Sequence, residues 1–411
     1  MKEYQTEIAI VGGGLAGRIL AILLCHAGIR CIVINTGKPG QTVTTAISDT
    51  RALAITPASA NIFASINIWQ RLPQDRIGNF SRMHIWDENS GGEVRFDSAD
   101  ICEPVLGYIV EQGLLQHALE EACAFLPDCT VVNGCAVAAI SKRADGVLLE
   151  LDNGDSMKAL LLVAADGADS PVRKLAGLDY TRHDYQQQAI SGVVTTSLPH
   201  NNVARQRFLK TGPLAFLPLA DPHHCGIVWS TDPMHARELL AMPEPQFCEQ
   251  LQQAFEHRAG KITSCVTRSV FALFRANAPV YTSERTVLAG DAAHTVHPLA
   301  GQGANMGLLD VAVLAELIIQ AKQNHRNIFS RQVLRRYERW RKGDNHRMLV
   351  LLDSLKWLFH TNQGWLNNLR GLGLDTVNSI PWIKSRIMHQ AMGLEGDLPA
   401  SAILSQYSET M

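Results

Sequence analysis

The stretch AGDAAHTVHPLAGQGANMGLLD, residues 289–310, combines side chains that could do several kinds of chemistry. His294 and His297 have the spacing of a histidine pair that binds a metal ion. Nothing nearby supplies a third or fourth ligand, so we expect no metal site. The small residues from Gly301 lead into an apolar helix, an arrangement that favours an anionic ligand at the helix start. Asp291 follows an apolar run that we predict as a strand.

A second motif lies near the amino terminus, where Gly12, Gly14 and Gly17 form the pattern GxGxxG. Short apolar runs on either side predict strands, and the helical periodicity of residues 15–27 predicts the helix between them. In such a unit one glycine permits the tight turn, the second lets backbone approach a pyrophosphate, and the third lets helix and strand pack closely. The free N–H groups and partial positive charge of the helix start then attract phosphates. The pattern therefore predicts a dinucleotide site.

The second strand of this unit ends on Asn35, where dinucleotide-binding folds usually have Asp or Glu to bind the adenosine ribose. A hydrogen bond to a charged group contributes about 1.5–3 kcal/mol, and a neutral one about 0.5–1.5 kcal/mol. We therefore expect Asn35 to weaken cofactor binding by roughly one order of magnitude without abolishing it.

A third motif, Asp166-Gly167, breaks an apolar run within residues 160–177. The three motifs in this order resemble those of the class A flavoprotein monooxygenases, the aromatic hydroxylases that bind FAD. Residues 289–310 are most similar to the ubiquinone-biosynthesis hydroxylase family, which oxidises the ring of polyprenylated phenols. The similarity to that family extends to DTRALAI (49–55), LGYIVEQ (106–112), DYQQQAI (184–190), QRFLKTGPLAFLPL (206–219) and YERWRKGDN (337–345).

The resemblance implies a set of FAD-binding residues spread along the chain. Arg51 would contact the junction of isoalloxazine and pyrophosphate, or could instead form a surface ion pair with Asp49. Asp166 would lie on the pyrophosphate side, or could belong to an ordinary turn. The Asp291 carboxylate would accept hydrogen bonds from the ribityl chain, and the helix of residues 304–320 would direct its positive end at the pyrimidine edge of the flavin. The full implied set is Gly12, Gly14, Gly17, Asn35, Arg51, Gln112, Asp166, Gly167, Asp291, Pro298, Gly301, Gly303, Ala304 and Asn305.

By the same resemblance, reduced flavin reacts with O2 to form a hydroperoxide, whose terminal oxygen is transferred to the ring of a polyprenylated phenol. NAD(P)H would bind transiently as the electron donor, or electrons would arrive from another protein. The sequence nominates no general base, so the catalytic residues are unknown. Two other functions stay open. One is a flavin oxidase or reductase on the same scaffold, and the other is a non-catalytic flavin-binding subunit of a quinone-synthesis assembly, for which Asn35 is the one basis in the sequence.

The positions of the motifs predict an α/β fold with a Rossmann-like FAD-binding domain that is assembled from distant segments. Alternating patterns between the motifs predict a mainly antiparallel sheet, which would form a substrate domain. A helical region follows at the carboxyl terminus. The predicted boundaries are 1–65, 101–177 and 281–330 for the FAD-binding domain, 66–100 and 178–280 for the substrate domain, and 331–411 for the helical region.

The composition narrows the range of partners. The chain of 411 residues has a formal net charge of −2, which argues against a nucleic-acid binder.

The expected location follows from two further observations. No stretch reaches the roughly 18 apolar residues that span a bilayer. The 9 cysteines form no CxxC pair, which indicates free thiols in a reducing compartment. We expect a cytoplasmic protein, with any contact to the inner membrane peripheral. Residues 348–374 are rich in Leu and Trp, which predicts either a packed helical layer or a surface for the membrane or for other ubiquinone-biosynthesis proteins.

Overall fold

The computed structural model describes residues 1–37, 51–265, 267–297, 301–360, 373 and 376–403. Its strands in chain order are β1 (Glu3–Val11), β2 (Cys31–Asn35), β3 (Ala52–Ile55), β4 (Gly78–Phe80), β5 (Arg82–Asp87), β6 (Glu93–Asp97), β7 (Gly107–Glu111), β8 (Cys129–Asn133), β9 (Val137–Arg143), β10 (Gly146–Leu151), β11 (Ser156–Ala164), β12 (Thr181–Thr196), β13 (Val203–Leu209), β14 (Gly212–Pro218), β15 (His224–Thr231), β16 (Ile262–Ser264), β17 (Arg268–Asn277), β18 (Thr282–Ser283), β19 (Thr286–Leu288) and β20 (His294–Thr295). Its helices are α1 (Leu15–His26), α2 (Pro57–Ser65), α3 (Gln112–Phe125), α4 (Pro171–Leu175), α5 (Pro233–Ala241), α6 (Glu244–Ala254), α7 (Gln302–Gln323), α8 (Arg331–His360) and α9 (Pro381–Ala391).

Strand β1, helix α1 and strand β2 form the βαβ unit that the glycine pattern predicts. The two strands are parallel, with Ile8 opposite Cys31 and Val11 opposite Ile34. Helix α1 is apolar over most of its surface because it packs against β2, α3 and α7. Gly28 follows the helix in the left-handed region, with φ of 67°, so the chain can turn there without steric cost.

The first sheet brings the three sequence motifs to the same side of the molecule. Its strand order is β18-β19-β11-β1-β2-β8, and the hairpin of β9 and β10 extends it from β11. Strands β19, β11, β1 and β2 are neighbours and parallel, so their carboxyl ends lie at one edge. This edge is where open α/β sheets bind their ligands.

The second sheet has the order β20-β17-β12-β15-β14-β13-β5-β6, with β16 paired to β12. Its pairs are antiparallel except for β13 and β5, which are parallel. The mainly antiparallel sheet expected from the alternating patterns is therefore confirmed. Helices α5 and α6 cover one of its faces, and Phe247 and Phe255 of that layer pack on Phe216 and Trp229 of the sheet.

A small sheet and the carboxyl-terminal helices join the two larger sheets. The small sheet has the order β3-β7-β4, although β4 lies in the segment that we predicted for the substrate domain. Helix α8 packs on the second sheet, where the Phe359 and Phe208 rings stack 3.8 Å apart. The expected helical region is confirmed for the part of it that the structure describes, whereas the domain boundaries stay a prediction.

Helix α7 is long and apolar enough to span a bilayer, which the reading of the sequence missed. However, 72% of its most apolar window is buried inside the protein. Its apolar surface is covered by α1, α2 and α8, so it has the surroundings of a core helix.

Candidate functional site

The three motifs meet in one cleft at the carboxyl edge of the first sheet. Gly12 follows β1, Asn35 ends β2, Asp166 follows β11, and Asp291 follows β19. The cleft has a volume of about 1060 Å³ and extends from this edge to the second sheet and the carboxyl-terminal helices. The predicted cofactor residues that line it are Gly12, Gly14, Asn35, Arg51, Gln112, Asp166, Gly167, Asp291, Gly301, Gly303, Ala304 and Asn305.

The glycine loop at the start of α1 has the three mechanical features expected of it. Gly12 has φ of 120°, and a Cβ there would lie 2.1 Å from the Ala165 carbonyl oxygen. A Cβ at Gly17 would lie 2.0 Å from the Gly12 carbonyl oxygen, so Gly17 packs beneath the loop and does not line the cleft. A Cβ at Gly14 would meet no protein atom within 4 Å. The space beside Gly14 is therefore open for a ligand.

The carbonyl of the remaining loop glycine, Gly13, is turned toward the protein. Arg18 Nε donates to this oxygen at 2.5 Å, and Gln116 Nε2 donates to it at 3.0 Å. Arg18 is itself buried and pairs with Glu120 at 2.8 Å. Because these donors hold the Gly13 oxygen, it does not repel an anion at the helix start. No side chain caps α1, which leaves its first N–H groups available.

The Asn35 side chain is already engaged with its neighbours. Its Nδ2 donates to Asn133 Oδ1 at 3.0 Å, and its Oδ1 accepts from the Gly37 N–H at 3.3 Å. The side chain also packs against Gly13, where a Cβ would lie 2.5 Å from the Asn35 Cγ. The neutral amide already has two hydrogen-bond partners, and a ribose that binds beside it would share the amide with them.

Asp166 forms a turn and also keeps one carboxylate oxygen without a partner, so its predicted contact with the cofactor stays a prediction. Its Oδ2 accepts from the Val172 N–H at 3.1 Å, as in a turn that leads into a short helix. Its Oδ1 is buried and has no hydrogen-bond partner in the described part of the chain. Burial raises the pKa of this carboxyl. An acceptor that lacks a partner at the wall of a cleft suits a ligand that donates a hydrogen bond.

Asp291 follows β19, which lies at one end of the row of parallel strands, and it is open to the cleft. Protein atoms surround it on its other sides, and this burial raises the pKa of the carboxyl. The charge of Asp310 raises that pKa further, and the nearby His294 opposes the shift. The carboxylate therefore gains stability from any ligand hydroxyl that donates to it.

The two histidines of the opening motif have separate surroundings. His294 Nε2 donates to Asp310 Oδ2 at 2.5 Å, and both side chains are buried. His297 is also buried, and neither of its ring nitrogens has a hydrogen-bond partner in the described part of the chain. Burial, together with the charge of Lys356, lowers the pKa of His297 to about 3. Among the described residues no group of three or more His, Cys, Asp or Glu could hold a metal ion. Because this finding covers only the described residues, the absence of a metal site stays a prediction.

The start of α7 approaches strand β3 closely. Gly301 has φ of 62°, and a Cβ there would lie 2.7 Å from the Ala54 Cβ. Asn305 Nδ2 donates to the Ala54 carbonyl at 2.8 Å, and its Oδ1 accepts from the Thr56 N–H at 3.0 Å. The Asn305 side chain thus ties α7 to β3, and only its backbone is left for a ligand. Gly303 and Ala304 add little bulk, and Pro298 lies outside the described residues.

Arg51 and Gln112 lie side by side on the wall of the cleft beside the second sheet. The Gln112 N–H donates to the Arg51 carbonyl at 3.0 Å, and the Arg51 guanidinium lies 5.4 Å from the centre of the Phe271 ring. The alternative partner of Arg51, Asp49, falls outside the described residues. Glu111, the residue before Gln112, is buried in an ion pair with Arg76 at 2.6 Å.

One residue that joins two of the motifs was missed by the reading of the sequence. The buried Arg173 donates through Nη1 to the Ala292 carbonyl and through Nη2 to the Ala168 carbonyl, both at 2.8 Å. Its guanidinium also lies 3.4 Å from the centre of the Tyr180 ring. Arg173 therefore holds the Asp166 loop and the Asp291 loop in a fixed relation. Its closeness to Asp166 in the sequence was the available signal.

The far half of the cleft is apolar. The second sheet contributes Met83, Ala215 and Leu217, and α8 and α9 contribute Leu352 and Met388. Pockets for one small molecule commonly measure about 300–1,000 Å³. The cleft is thus large enough for a dinucleotide at the carboxyl edge and an apolar ligand beside it.

The residues at the carboxyl edge fit FAD. The open space at Gly14, the uncapped start of α1 and the Asp166 oxygen without a partner match a cofactor with a pyrophosphate and hydroxyl groups. A family model described as FAD binding domain matches residues 5–348 of the chain. The cofactor of this protein is FAD.

Two relatives match almost the whole chain. The 3-demethoxyubiquinol 3-hydroxylase of Escherichia coli (strain K12) is 34% identical, over 96% of this chain and 100% of its own. The ubiquinone biosynthesis monooxygenase COQ6 of Xenopus tropicalis is 34% identical, over 93% of this chain and 92% of its own.

A solved structure shares the fold. The p-nitrophenol 4-monooxygenase PnpA from Pseudomonas putida DLL-E4 superposes with a TM-score of 0.79, at 20% identity, over 96% of this chain and 99% of its own. The whole-chain relatives and the family model together show the family. The chain belongs to the ubiquinone-biosynthesis hydroxylase family of FAD-dependent aromatic monooxygenases.

Proposed function

We propose that the protein hydroxylates the aromatic ring of a polyprenylated phenol in ubiquinone biosynthesis, with FAD as cofactor and O2 as cosubstrate. The observation that carries this proposal is a continuous cleft, which joins the carboxyl edge of the first sheet to an apolar chamber. Bound FAD supplies the activation of O2 and the transfer of one oxygen atom to the ring.

The carboxyl edge holds the cofactor. Gly12, Gly14 and Gly17 give the pyrophosphate access to the start of α1, while Asn35 binds on the ribose side. Asp166 and Asp291 accept hydrogen bonds from hydroxyl groups, because the surrounding protein raises the pKa of both carboxyls and each charged form therefore gains from a donor. The remaining members of the proposed FAD site are Arg51, Gln112, Gly167, Pro298, Gly301, Gly303, Ala304 and Asn305.

The start of α7 stabilises negative charge on the reduced cofactor. No side chain caps this helix, so its first N–H groups and the positive end of its dipole remain available. Because they are fixed before reduction occurs, no reorganisation is needed to stabilise the charge. Electrons come from NAD(P)H that binds transiently.

The apolar chamber orients the substrate and excludes water. Leu351 of α8 and Ile387 of α9 both line the cleft, yet each is 39% exposed, so the cleft opens to solvent between these two helices. This opening admits a polyprenyl tail, whose transfer from water to an apolar wall is favourable.

The same opening supports a peripheral contact with a membrane. Trp357 of α8 is 61% exposed, and Trp382 of α9 is 68% exposed. The exposed Arg347 and Arg386 lie on the same two helices. Exposed tryptophans on helices that also carry exposed cations favour the interface of a bilayer that contains anionic lipids. A protein docked in this way takes its substrate from the membrane, on its inner face.

Mass spectrometry of lipid-extracted quinone intermediates tests the proposed function. Cells that lack the protein should accumulate a prenylated phenol with one ring oxygen too few. The intact gene should restore the product, and an Asp291→Ala version should not. Asp145→Ala is the matched control, because Asp145 is exposed and pairs with Lys158 away from the cleft. A normal quinone profile in the deletion strain would contradict the proposal.

A further inference from the structure

The face of the second sheet that lines the cleft carries a row of residues with polar side chains near its two ends. Gln206 of β13 lies opposite Ala215 of β14, Ala215 lies opposite Val228 of β15, and Val228 lies opposite Ser191 of β12. All four residues line the cleft. The row therefore has an amide at one end, a hydroxyl at the other and two small apolar side chains between them.

Neither polar side chain is satisfied by the protein. Ser191 is only 4% exposed, and its Oγ has no hydrogen-bond partner in the described part of the chain. Gln206 is 6% exposed, and its amide, which makes no hydrogen bond to another described residue, reaches the surface of the cleft. A buried polar group without a partner costs stability, so the Ser191 hydroxyl requires an explanation. A ligand with two polar atoms would satisfy both.

The row lies beside the cofactor half of the cleft. Gly226 precedes Val228 by two residues on β15, which is about 7 Å along a strand. A Cβ at Gly226 would lie 2.9 Å from the Ala52 Cβ of β3, and a Cβ at Gly301 would lie 2.7 Å from the Ala54 Cβ of the same strand. Strand β3 is therefore in contact with both the sheet face and the start of α7.

The spacing of the two polar groups suits an aromatic ring with oxygen substituents. Three inter-strand steps separate β13 from β12, or about 14 Å between backbones. The Ser191 and Gln206 side chains, and a hydrogen bond of about 2.8 Å from each, occupy part of the separation between the two backbones. The remaining space lies above Ala215 and Val228, and a flat ring fits there between the two polar groups. A hydroxyl and an amide can each donate or accept, so they suit both hydroxyl and ether oxygens.

We infer that Ser191 and Gln206 form the polar subsite for the ring of the substrate, each binding one oxygen substituent of an oxygenated phenol. This inference rests on the proposed function. With both oxygens held, the ring cannot rotate in its plane, and one ring carbon faces the cofactor. Ser191 and Gln206 thus determine which carbon is hydroxylated, while the apolar chamber binds the tail.

Steady-state kinetics of the FAD-loaded protein with short-chain prenylated phenols test the inference. Ser191→Ala and Gln206→Leu should each raise KM about three- to tenfold, the loss typical of one neutral hydrogen bond. They should also divert part of the reduced cofactor's electrons to hydrogen peroxide and distribute the new hydroxyl over more than one carbon. Gln253→Leu on the exposed face of α6 is the matched control and should behave as the wild type.

A matched pair of substrates assigns each contact. With a phenol that lacks one ring oxygen, one of the two variants should match the wild type in KM, because the bond that it removes is already missing. The thermal midpoint of the substrate-free protein gives a readout that is independent of turnover. Ser191→Ala should leave it unchanged or raise it, because an unsatisfied hydroxyl is removed.

The outcomes separate the inference from the proposed function. If the wild type makes no hydroxylated product from any prenylated phenol, the proposed function fails. If the wild type hydroxylates but both variants keep its KM, coupling and product, the inference is overturned. A lower thermal midpoint for Ser191→Ala would also overturn it, because the hydroxyl would then be bonded within the protein.

Discussion

Gly14 and Gly17 belong to one motif, but the space around them predicts that an added methyl group affects cofactor binding at Gly14 and stability at Gly17. A Cβ at Gly14 would meet no protein atom within 4 Å, whereas one at Gly17 would lie 2.0 Å from the Gly12 oxygen. Gly14→Ala should therefore keep the wild-type stability and lose FAD affinity about tenfold, or ~1.4 kcal/mol. Gly17→Ala should lower the free energy of unfolding by about 1–3 kcal/mol, as overpacking does.

Thermal unfolding of the FAD-free protein and flavin fluorescence titration separate these two effects. Gly343→Ala is the control, because a Cβ at this position in α8 would also meet no atom within 4 Å and the residue lies outside the cleft. It should leave FAD affinity unchanged and stabilise the helix slightly. Wild-type FAD affinity in Gly14→Ala would show that the pyrophosphate does not bind at this loop.

At the residue scale, the sequence predicts what local geometry demands. The glycine loop could be predicted because its turn, its open side and its helix contact all arise within a few residues of one another. The role of Arg173 could not, because one of its two carbonyl partners lies 119 residues away. Its contact with Ala292 exists only once β11 and β19 have paired.

At the element scale, a buried ionic network joins α7, α8 and β20 beneath the Asp291 loop. Asp310 of α7 accepts from Arg341 Nε at 2.8 Å, from Asn345 Nδ2 at 3.0 Å and from His294 Nε2 at 2.5 Å. It also accepts from the Gly290 N–H at 3.1 Å, which fixes the residue before Asp291. Burial disfavours the charge of Asp310, but His294 and Arg341 outweigh it and hold the pKa of this carboxyl well below its usual range.

Asp310→Asn should destabilise the protein strongly, because it removes the buried counter-ion of Arg341 and leaves this arginine only the partly exposed Asp344. Breaking a buried pair in this way costs about 3–5 kcal/mol. Asp344→Asn removes a partly exposed partner of the same arginine, and should cost less than about 1 kcal/mol. Urea unfolding of the FAD-free variants measures both, and equal losses would mean that the network contributes little.

The pH dependence of the Asp310→Asn effect has a defined sign. In the unfolded chain this carboxyl takes up a proton near pH 4, whereas the folded chain keeps it charged to lower pH. The stability that Asp310 supplies is therefore complete above about pH 4 and is lost as the pH falls through its folded-state value. The difference in unfolding free energy between wild type and Asp310→Asn should be constant from about pH 7 to 5 and shrink below about pH 4.

In the sequence, the only sign of this network was His294, which the spacing to His297 marked as a candidate metal ligand. The pattern was local, but the partner that engages His294 lies 16 residues away on α7, and the arginine on α8 is farther still. Helix packing decides such contacts, and the sequence predicted the helices without their mutual orientation. The strands and helices were therefore predictable from periodicity, whereas the polar contacts between them were not.

At the scale of the whole molecule, the order of strands decides which residues share a site. Asn35, Gly12, Asp166 and Asp291 meet because β2, β1, β11 and β19 are neighbours, an order that no local pattern encodes. The row of Ser191 and Gln206 depends in the same way on the pairing of β12 with β15 and of β13 with β14. The family resemblance predicted the cofactor residues of the cleft, whereas only the folded sheet brings Ser191 and Gln206 into one row on its wall.

We expect the protein to bind membranes through Trp357 and Trp382, the exposed tryptophans of the two helices that flank the opening of the cleft. Replacing both in Trp357→Ser/Trp382→Ser should weaken sedimentation with vesicles that contain anionic lipid by about tenfold or more, because two large apolar side chains no longer enter the interface. Phe125→Ser is the control, because Phe125 is 83% exposed and lies at the end of α3, outside the cleft.

The electrostatic part of this contact should depend on salt. Arg347 and Arg386 are exposed on the same two helices, and their attraction to anionic headgroups is screened over a Debye length of about 10 Å at 0.1 M salt. Added salt should therefore weaken binding of the wild type, and of the tryptophan variant as well. Turnover of a short-chain phenol in solution should be the same in both proteins, while turnover of a long-chain phenol in vesicles should fall in the variant. Equal vesicle binding by the variant and the wild type would mean that the tail enters the cleft without this contact.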